Sequence, residues 1–440
     1  MPEPVLPSTA RTLLARTARV QREGRSPSLV AGVVRDGGLA WSTGRGDVPE
    51  PHTDVQYRLG SISKTVTAVV VMRLRDEGVL HLDDPLERHL PGTPLGDRTI
   101  GQLLSHLAGA SAESPGGWWE RVPGGSLDDL ALGQDDVVLG AARRFHYSNL
   151  GFGLLGELVA RTRGTSWEDA VTAEVLAPLG MTRTTPRPSG RAADGQAVHP
   201  WADVVLPEPE FHAGVMAAAG QLWATLADLG RFAAFLLGDT AGVLDPATLE
   251  EMTVPAGVDS SAPGWSAYGL GVQVLRVDGR TLVGHGGSMP GFLAGVFVDR
   301  EEQTGAVSLA NTTSGLDAVV FGLLGDLRAA EPRIVEPWQP SPSPVPLDRL
   351  GVWFWGPSPY ALRSVGAGLL HLGPLPGRVG RASRFSPRDD GTWVGLDGYF
   401  AGETLRIAED HLNLDTFVFT RTPYDPEAPV PGGVDERGWH

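Results

Sequence analysis

A proline-rich segment limits the fold of this 440-residue chain more than any other feature of its sequence. Residues 331–346, EPRIVEPWQPSPSPVP, contain six prolines. Proline lacks a backbone N–H and has a fixed φ, so this stretch is predicted to be a semi-rigid linker rather than part of a core. The sequence therefore predicts one domain over residues 1–330 and a separate unit after the linker. The chain length agrees, because single hydrophobic cores rarely grow beyond about 250–300 residues.

The hydrophobic patterns before the linker indicate strands at both ends of a helical region. A helix is predicted over residues 10–23, and two strands over residues 29–46 turn at Asp36-Gly37-Gly38. Residues 80–265 contain mostly helix and loop patterns, including a buried helix over 150–162. Later strand patterns lie at residues 268–277, 280–286, 292–300 and 306–312. A helix pattern over residues 316–329 follows them. We therefore expect an α+β fold in which helices flank one antiparallel sheet, with an additional all-helical region.

The pattern changes after the linker. Residues 347–424 contain short segments rich in aromatic residues and separated by turn residues, as in VWFWG and TWVGLDGYF. Such segments are typical of a small all-β sandwich or barrel. Residues 425–440 are predicted to form an irregular tail.

Composition excludes several classes of function. The formal net charge is −16 and no Lys/Arg-rich run is present, which argues against nucleic acid or a membrane surface as a partner. The absence of cysteine excludes disulfides and thiol catalysis. No apolar run approaches the roughly 18–20 residues of a membrane span, and the N-terminus lacks a signal-peptide pattern, so a cytoplasmic location is predicted. The histidines are dispersed and no H-E-x-x-H occurs, so we expect neither a metal site nor a cofactor.

The single lysine of the chain is the first candidate catalytic residue. Of 36 basic residues, 35 are arginine and one is Lys64, in Ser61-Ile62-Ser63-Lys64 at the start of a helix predicted over residues 64–78. Positions i and i+3 share a helix face, so Ser61 and Lys64 are expected within hydrogen-bond reach. A serine hydroxyl needs an adjacent base to act as a nucleophile. Lysine can be that base when its pKa is lowered, whereas arginine stays protonated. The alternative is that Ser61 only caps the helix.

Two further motifs follow in order. In Tyr147-Ser148-Asn149, the phenol can relay a proton, and the amide of Asn149 can orient Lys64 and bind a substrate carbonyl. In Gly284-His285-Gly286-Gly287-Ser288, the glycines permit close approach of a substrate, and the Ser288 N–H can join that of Ser61 in an oxyanion hole. His285 can bond to Tyr147 or to a substrate carboxylate. Taken singly, the first motif could be a turn with a packing tyrosine and the second a flexible glycine turn.

Together these motifs resemble the penicillin-recognising serine hydrolases, over about residues 10–330. This family includes class C β-lactamases, DD-peptidases, D-aminopeptidases and β-lactamase-like esterases. The neighbouring segments Arg58-Leu59-Gly60, Leu82-Asp83-Asp84-Pro85 and Leu103-Leu104-Ser105-His106 are also similar to family signatures. The resemblance implies the β-lactamase/transpeptidase-like fold. The C-terminal β unit resembles the barrel appended to some D-aminopeptidase-like and peptide-cyclising members.

The resemblance also implies residue roles. Ser61 would be the acylated nucleophile, Lys64 its base and Tyr147 the proton relay to the leaving group. Asn149 would position the substrate and Ser288 would complete the oxyanion hole. Gly286 and Gly287 would contact the substrate. His285, next to them in the sequence, would complete the expected catalytic set.

In the third motif, His285 occupies the position at which β-lactamases usually have a lysine. Histidine is often neutral at pH 7, so esters, amides or D-residue peptides are the expected substrates, with weak β-lactamase activity possible. Two alternatives remain open: an acyltransferase or peptide cyclase that uses the same acyl-enzyme, and a non-catalytic penicillin-binding or sensing module. The expected partner is a small-molecule or peptide substrate, and the sequence leaves the oligomeric state open.

Overall fold

A computed structural model describes residues 2–261, 264–316, 319–335, 337–340, 345–366, 368–414, 417–423, 434–435 and 438–439. The chain divides into two compact units, residues 1–334 and 335–440. The division falls within the proline-rich segment, of which residues 336 and 341–344 lie outside the described residues. Most of the predicted irregular tail, residues 425–440, also lies outside them.

The first unit combines nine described helices with twelve described strands. The helices are α1 (Pro7–Glu23), α2 (Ile62–Asp76), α3 (Ile100–Leu104), α4 (Asn149–Arg163), α5 (Trp167–Val171), α6 (Ala217–Gly220), α7 (Leu226–Leu237), α8 (Pro246–Met252) and α9 (Val319–Ala330). The strands are β1 (Ser28–Arg35), β2 (Gly38–Gly46), β3 (Gln56–Arg58), β4 (Gln196–Val198), β5 (Val205–Pro207), β6 (Trp223–Thr225), β7 (Gly257–Asp259), β8 (Ser266–Tyr268), β9 (Gln273–Val277), β10 (Arg280–Met289), β11 (Phe292–Asp299) and β12 (Thr304–Ala310). None of the described helices is both long enough and apolar enough to span a bilayer.

One eight-stranded antiparallel sheet organises this unit. Its strand order is β2-β1-β12-β11-β10-β9-β8-β7. The N-terminal strands meet the later ones where β1 pairs with β12, from Leu29 opposite Ala310 to Arg35 opposite Thr304. The predicted single antiparallel sheet, flanked by helices, is therefore confirmed.

The prediction of one continuous strand over residues 268–277 is wrong. The structure has two strands there, β8 and β9, which pair as a hairpin with Tyr268 opposite Gln273. Gly271 in the connection has φ +83°, a conformation that favours glycine. A Cβ at this position would overlap the Cβ of Ala68 in α2. The chain turns where it lies against that helix, and strand periodicity does not record this contact.

Both faces of the sheet are covered. On one face, α1 and α9 contribute to a core that includes Leu13, Leu29 and Leu323. The opposite face supports the larger core, to which α2, α4 and α7 contribute. Buried residues lie on every side of α2, so this helix is in the interior. The N-terminus of α2, which carries Ser61, therefore lies among packed elements.

The second unit contains a closed barrel of eight antiparallel strands. These are β13 (Gly351–Trp355), β14 (Ser358–Ser364), β15 (Leu370–Pro374), β16 (Ser383–Pro387), β17 (Trp393–Gly395), β18 (Thr404–Ile407), β19 (His411–Leu414) and β20 (Phe417–Thr420). Two short strands, β21 (Val434–Asp435) and β22 (Gly438–Trp439), pair with each other. Buried side chains such as Trp353, Leu372 and Phe385 form the core of this unit. The predicted all-β, barrel-like C-terminal domain is confirmed.

Candidate active site

Ser61 is the residue immediately before α2, at the end of a tight turn. Gly60 precedes it with φ +54°. A Cβ at Gly60 would lie 2.5 Å from the backbone nitrogen of Ser288 and 2.6 Å from its oxygen. Glycine is therefore required both for the conformation and for the close approach of β10. The turn leaves Ser61 partly exposed at the positive end of the helix dipole.

Lys64 lies one helical turn later and is fully buried. Its Nζ is 2.9 Å from Ser61 Oγ, so the predicted contact between the two side chains is present. The same nitrogen donates to the carbonyl of Ala219 at 2.7 Å. Burial lowers the pKa of Lys64 to about 7, against a smaller opposing effect of the Glu113 and Glu120 carboxylates. A neutral amine can accept the Ser61 proton while it still donates to Ala219.

Tyr147 lies against this pair, just before α4. Its hydroxyl is hydrogen-bonded to Ser61, and burial raises the pKa of the phenol above its ordinary value. The Lys64 Nζ is 5.0 Å from the centre of the tyrosine ring. The phenol therefore stays protonated at neutral pH and has a proton to give within the same cluster as Ser61 and Lys64.

His106 holds the second motif in place. Its Nδ1 accepts the backbone N–H of Ser148 at 3.1 Å. Its ring centre lies 4.3 Å from that of Tyr147. Burial lowers the pKa of His106 well below its ordinary value, so the ring is a neutral acceptor. The sequence identified His106 only as part of a family signature and assigned it no function.

Asn149 is not bonded to Lys64 as predicted. Its side-chain amide donates to the two carboxylate oxygens of Glu113 at 2.8 and 3.0 Å, and the carbonyl of Ala219 is the group that orients Lys64. Glu113 also accepts from the Trp119 indole at 2.7 Å. Glu113 escaped sequence analysis because it lies in a loop without periodicity or motif, 36 positions from Asn149.

The third motif forms the C-terminal half of β10, which extends to Met289, and so it is not a flexible turn. β9 pairs with β10 only as far as Gly284, which is opposite Gln273. Beyond that point, the side chain of Gln273 accepts the N–H of Gly286 at 3.1 Å. A Cβ at Gly287 would overlap the carbonyl of Leu59 and lie 3.2 Å from the nitrogen of Ser61. The backbones of β10 and the start of α2 are therefore in direct contact, which the predicted oxyanion hole requires.

His285 is buried with its polar atoms paired inside the protein. Tyr268 is hydrogen-bonded to its Nε2 at 2.9 Å, and its Nδ1 is bonded to the carbonyl of Gly286. The bond to Tyr147 that the sequence allowed is not formed, because Tyr268 and the Gly286 carbonyl occupy both ring nitrogens. Burial lowers the pKa of His285 to about 3, so the ring carries no charge with which to bind a substrate carboxylate at neutral pH. Tyr268, its partner, was not singled out from the sequence.

These groups border an open cleft. A cavity of about 520 Å³ is lined by Ser61, Tyr147 and residues 285–288, and it continues over apolar residues of the sheet and α9. Among the residues that the structure describes, no three histidine or acidic side chains are grouped to hold a metal ion. The arrangement contains a hydroxyl, a neutral amine and a protonated phenol in mutual contact. Such a group can activate an alcohol and move its proton.

Comparisons with known protein families agree with this geometry. The family model described as Beta-lactamase matches residues 12–329. A second model, described as a domain of unknown function, DUF7586, matches residues 342–421 and so corresponds to the barrel.

The individual proteins that resemble this chain have low sequence identity to it. "Beta-lactamase-like protein 2" of Dictyostelium discoideum is 27% identical over 259 residues, which are 52% of this chain and 45% of that protein. The chain thus spans less than half the length of this relative. "Penicillin-binding protein 4" of Amycolatopsis lactamdurans is 29% identical over 330 residues, covering 67% of this chain and 83% of that protein. The solved octameric penicillin-binding protein homologue from Pyrococcus abyssi shares the fold, with a TM-score of 0.66 and 20% identity over 93% of this chain and 99% of that one.

Proposed function

The chain belongs to the β-lactamase family, and from this premise we propose that it is a serine hydrolase that forms an acyl-enzyme on Ser61. One observation carries the proposal: the only lysine of the chain is fully buried, 2.9 Å from Ser61 Oγ, with its pKa lowered to about 7. A buried amine that is largely neutral at physiological pH is suited to be a base and poorly suited to be a surface charge.

The proposed acylation step uses four groups. Lys64 accepts the proton of Ser61 while Ser61 Oγ bonds to the substrate carbonyl carbon. The N–H groups of Ser61 and Ser288 stabilise the negative charge that develops on the carbonyl oxygen. As the bond to the leaving group breaks, Tyr147 donates its proton to the departing atom and regains one from Lys64.

Deacylation reverses the proton path. Water replaces the leaving group, its proton passes to the Tyr147–Lys64 pair, and its oxygen bonds to the acyl carbon. Ser61 departs from that carbon and recovers a proton, so the enzyme returns to its starting state.

The charge around the cleft supports esters, amides or D-residue peptides as substrates. The third motif offers a neutral imidazole, where a permanent cation would favour the carboxylate of a β-lactam. At the second motif, the Glu113 carboxylate accepts a hydrogen bond from the side-chain amide of Asn149. We therefore expect weak turnover of β-lactams relative to uncharged esters and amides.

The test is hydrolysis of p-nitrophenyl acetate, D-alaninamide, L-alaninamide and nitrocefin by the wild type and three variants. Ser61→Ala should remove hydrolysis of every accepted substrate. Lys64→Arg should lower kcat/KM by at least about 10³-fold, because the charge survives but the base does not. Ser8→Ala, at an exposed serine of α1, is the matched control and should behave like the wild type.

Four results would contradict the proposal. Activity retained in Ser61→Ala would exclude Ser61 as the nucleophile, and activity retained in Lys64→Arg would exclude Lys64 as the base. A stable acyl adduct without turnover, seen by intact-mass spectrometry, would instead identify a sensing module. Product captured by an added amine in preference to water would identify an acyltransferase.

A further inference from the structure

The cleft beside Ser61 continues into a largely apolar chamber between the sheet and α9. The cavity, which includes the cleft, has a volume of about 520 Å³, and Ser61 and Tyr147 are among the residues that line it. Its inner wall is formed by strands β9 to β12 and by α9 with the segment that precedes it. The apolar residues of this wall are Leu275, Leu293, Phe297, Leu316, Val320 and Phe321.

Small residues in register create the floor of the chamber. Gly286 of β10 is opposite Gly295 of β11, which is opposite Ser308 of β12. Directly opposed residues of antiparallel strands project from the same face, so three neighbouring strands lack bulk along one line. A Cβ at Gly286 would have no atom within 4 Å, whereas one at Gly295 would lie 3.3 Å from the Val320 side chain. The space over this line is therefore wider at Gly286 than at Gly295.

An unpaired hydroxyl lies at the inner end of this line. Ser308 lines the cavity, and its Oγ is buried without a hydrogen-bond partner. Buried polar atoms are usually paired in native proteins, so this oxygen is an exception. One hydroxyl adds little polar surface, and a group bound in the chamber would make mostly apolar contacts.

From these observations we propose that the chamber binds an alkyl or aromatic leaving group of the substrate. The inference rests on the proposed acyl-enzyme chemistry, because it assigns the departing group to the side where Tyr147 would protonate it. Tyr147 lines the same cavity as the apolar wall, so a group protonated by Tyr147 can occupy this cavity. A dry cavity of about 150 Å³ can hold a benzene ring, and the cleft and chamber together, at about 520 Å³, exceed that volume.

The expected result is a preference that grows with the length of the alcohol. Acetate esters of straight-chain alcohols from ethanol to octanol should show kcat/KM rising about fourfold for each added methylene until the chamber is full. Ethyl esters of acids of the same lengths should show no such rise. A flat alcohol series, or a rise confined to the acid series, would overturn the proposal.

Variants of α9 and β11 distinguish binding of the alcohol in the chamber from a general effect of its hydrophobicity on kcat/KM. Val320→Phe narrows the chamber and should abolish the rise with alcohol length. Leu324→Phe adds a ring one helical turn further on, outside the chamber wall, and should preserve it. Leu293→Trp, at a half-exposed wall position of β11, is a second narrowing variant if Val320→Phe does not fold. An unchanged rise in a folded narrowing variant would contradict the proposal.

Direct binding separates a failure of this proposal from a failure of the proposed hydrolysis. Calorimetric titration of the intact wild-type chain with the same alcohols should give dissociation constants that fall about fourfold per methylene, and Val320→Phe should remove the trend. This trend without hydrolysis of any ester or amide would refute the proposed function and retain the apolar site. Hydrolysis of ethyl acetate without any trend would refute the chamber and retain the function.

Discussion

Lys64 acquires its properties from its surroundings and not from its residue type alone. Thirty-five other basic positions of the chain are arginine, which cannot serve as a base at any physiological pH. Burial of Lys64 in the first turn of α2 disfavours its charged form, and the Ala219 carbonyl and Ser61 hydroxyl hold the amine in place. The nearby Glu113 and Glu120 carboxylates act in the opposite direction and keep its pKa from falling further.

The pH dependence of hydrolysis follows from this balance. The pKa of Lys64 is about 7, and only its neutral form can accept the Ser61 proton. We expect kcat/KM for p-nitrophenyl acetate to rise about tenfold per pH unit below pH 7 and to level off above it, in measurements from pH 5 to 9. His285 should add no second limb near its ordinary value, since burial lowers its pKa to about 3. A profile that is flat through pH 7 would rule out Lys64 as the titrating base.

At the scale of elements, the site depends on how closely β10 approaches the first residues of α2. The two backbones touch at Gly60 and Gly287, where any side chain would meet the opposite main chain. The contact brings Ser288 beside the turn that carries Ser61. Helix α2 and strand β10 are separately recognisable in the sequence, but their contact depends on the two glycines.

Gly287→Ala should therefore separate the two elements. Its Cβ would overlap the carbonyl of Leu59 and move the Ser288 N–H away from that of Ser61. Hydrolysis should fall by about 10²-fold or more, as for loss of one oxyanion donor, and Tm should also fall. Gly286→Ala is the matched control for folding, because its Cβ would meet no atom within 4 Å. Equal Tm values for the two variants would show that the close contact is not required.

Among the described residues, each of the two units has its own hydrophobic core. Two clusters of buried residues belong to the first unit, and a third, which includes Trp353 and Leu412, belongs to the barrel. A barrel with its own core and a closed ring of strands leaves no unpaired sheet edge. Each unit therefore has the interior that independent folding requires.

Residues 335–440 should fold when expressed alone. We expect cooperative thermal unfolding and a near-ultraviolet circular dichroism signal from the fully buried Trp353. Trp353→Ala should destabilise this fragment by about 3–5 kcal/mol. Trp338→Ala, at a side chain that is 85% exposed, should leave its unfolding unchanged. A fragment without a cooperative transition would show that the barrel depends on the rest of the chain.

The sequence by itself determined the features that depend on local spacing. The Ser61–Lys64 contact follows from three residues of separation on a helix, and the antiparallel sheet and the barrel follow from strand patterns and turns. Only the tertiary structure decided the partners of these residues. Ala219 is 155 positions from Lys64, and Tyr268 is 17 positions from His285 on another strand. The low pKa of Lys64 likewise arises from burial among many elements. Periodicity encodes which face of an element is buried, but not which atoms meet there, because those contacts form only when distant segments pack together.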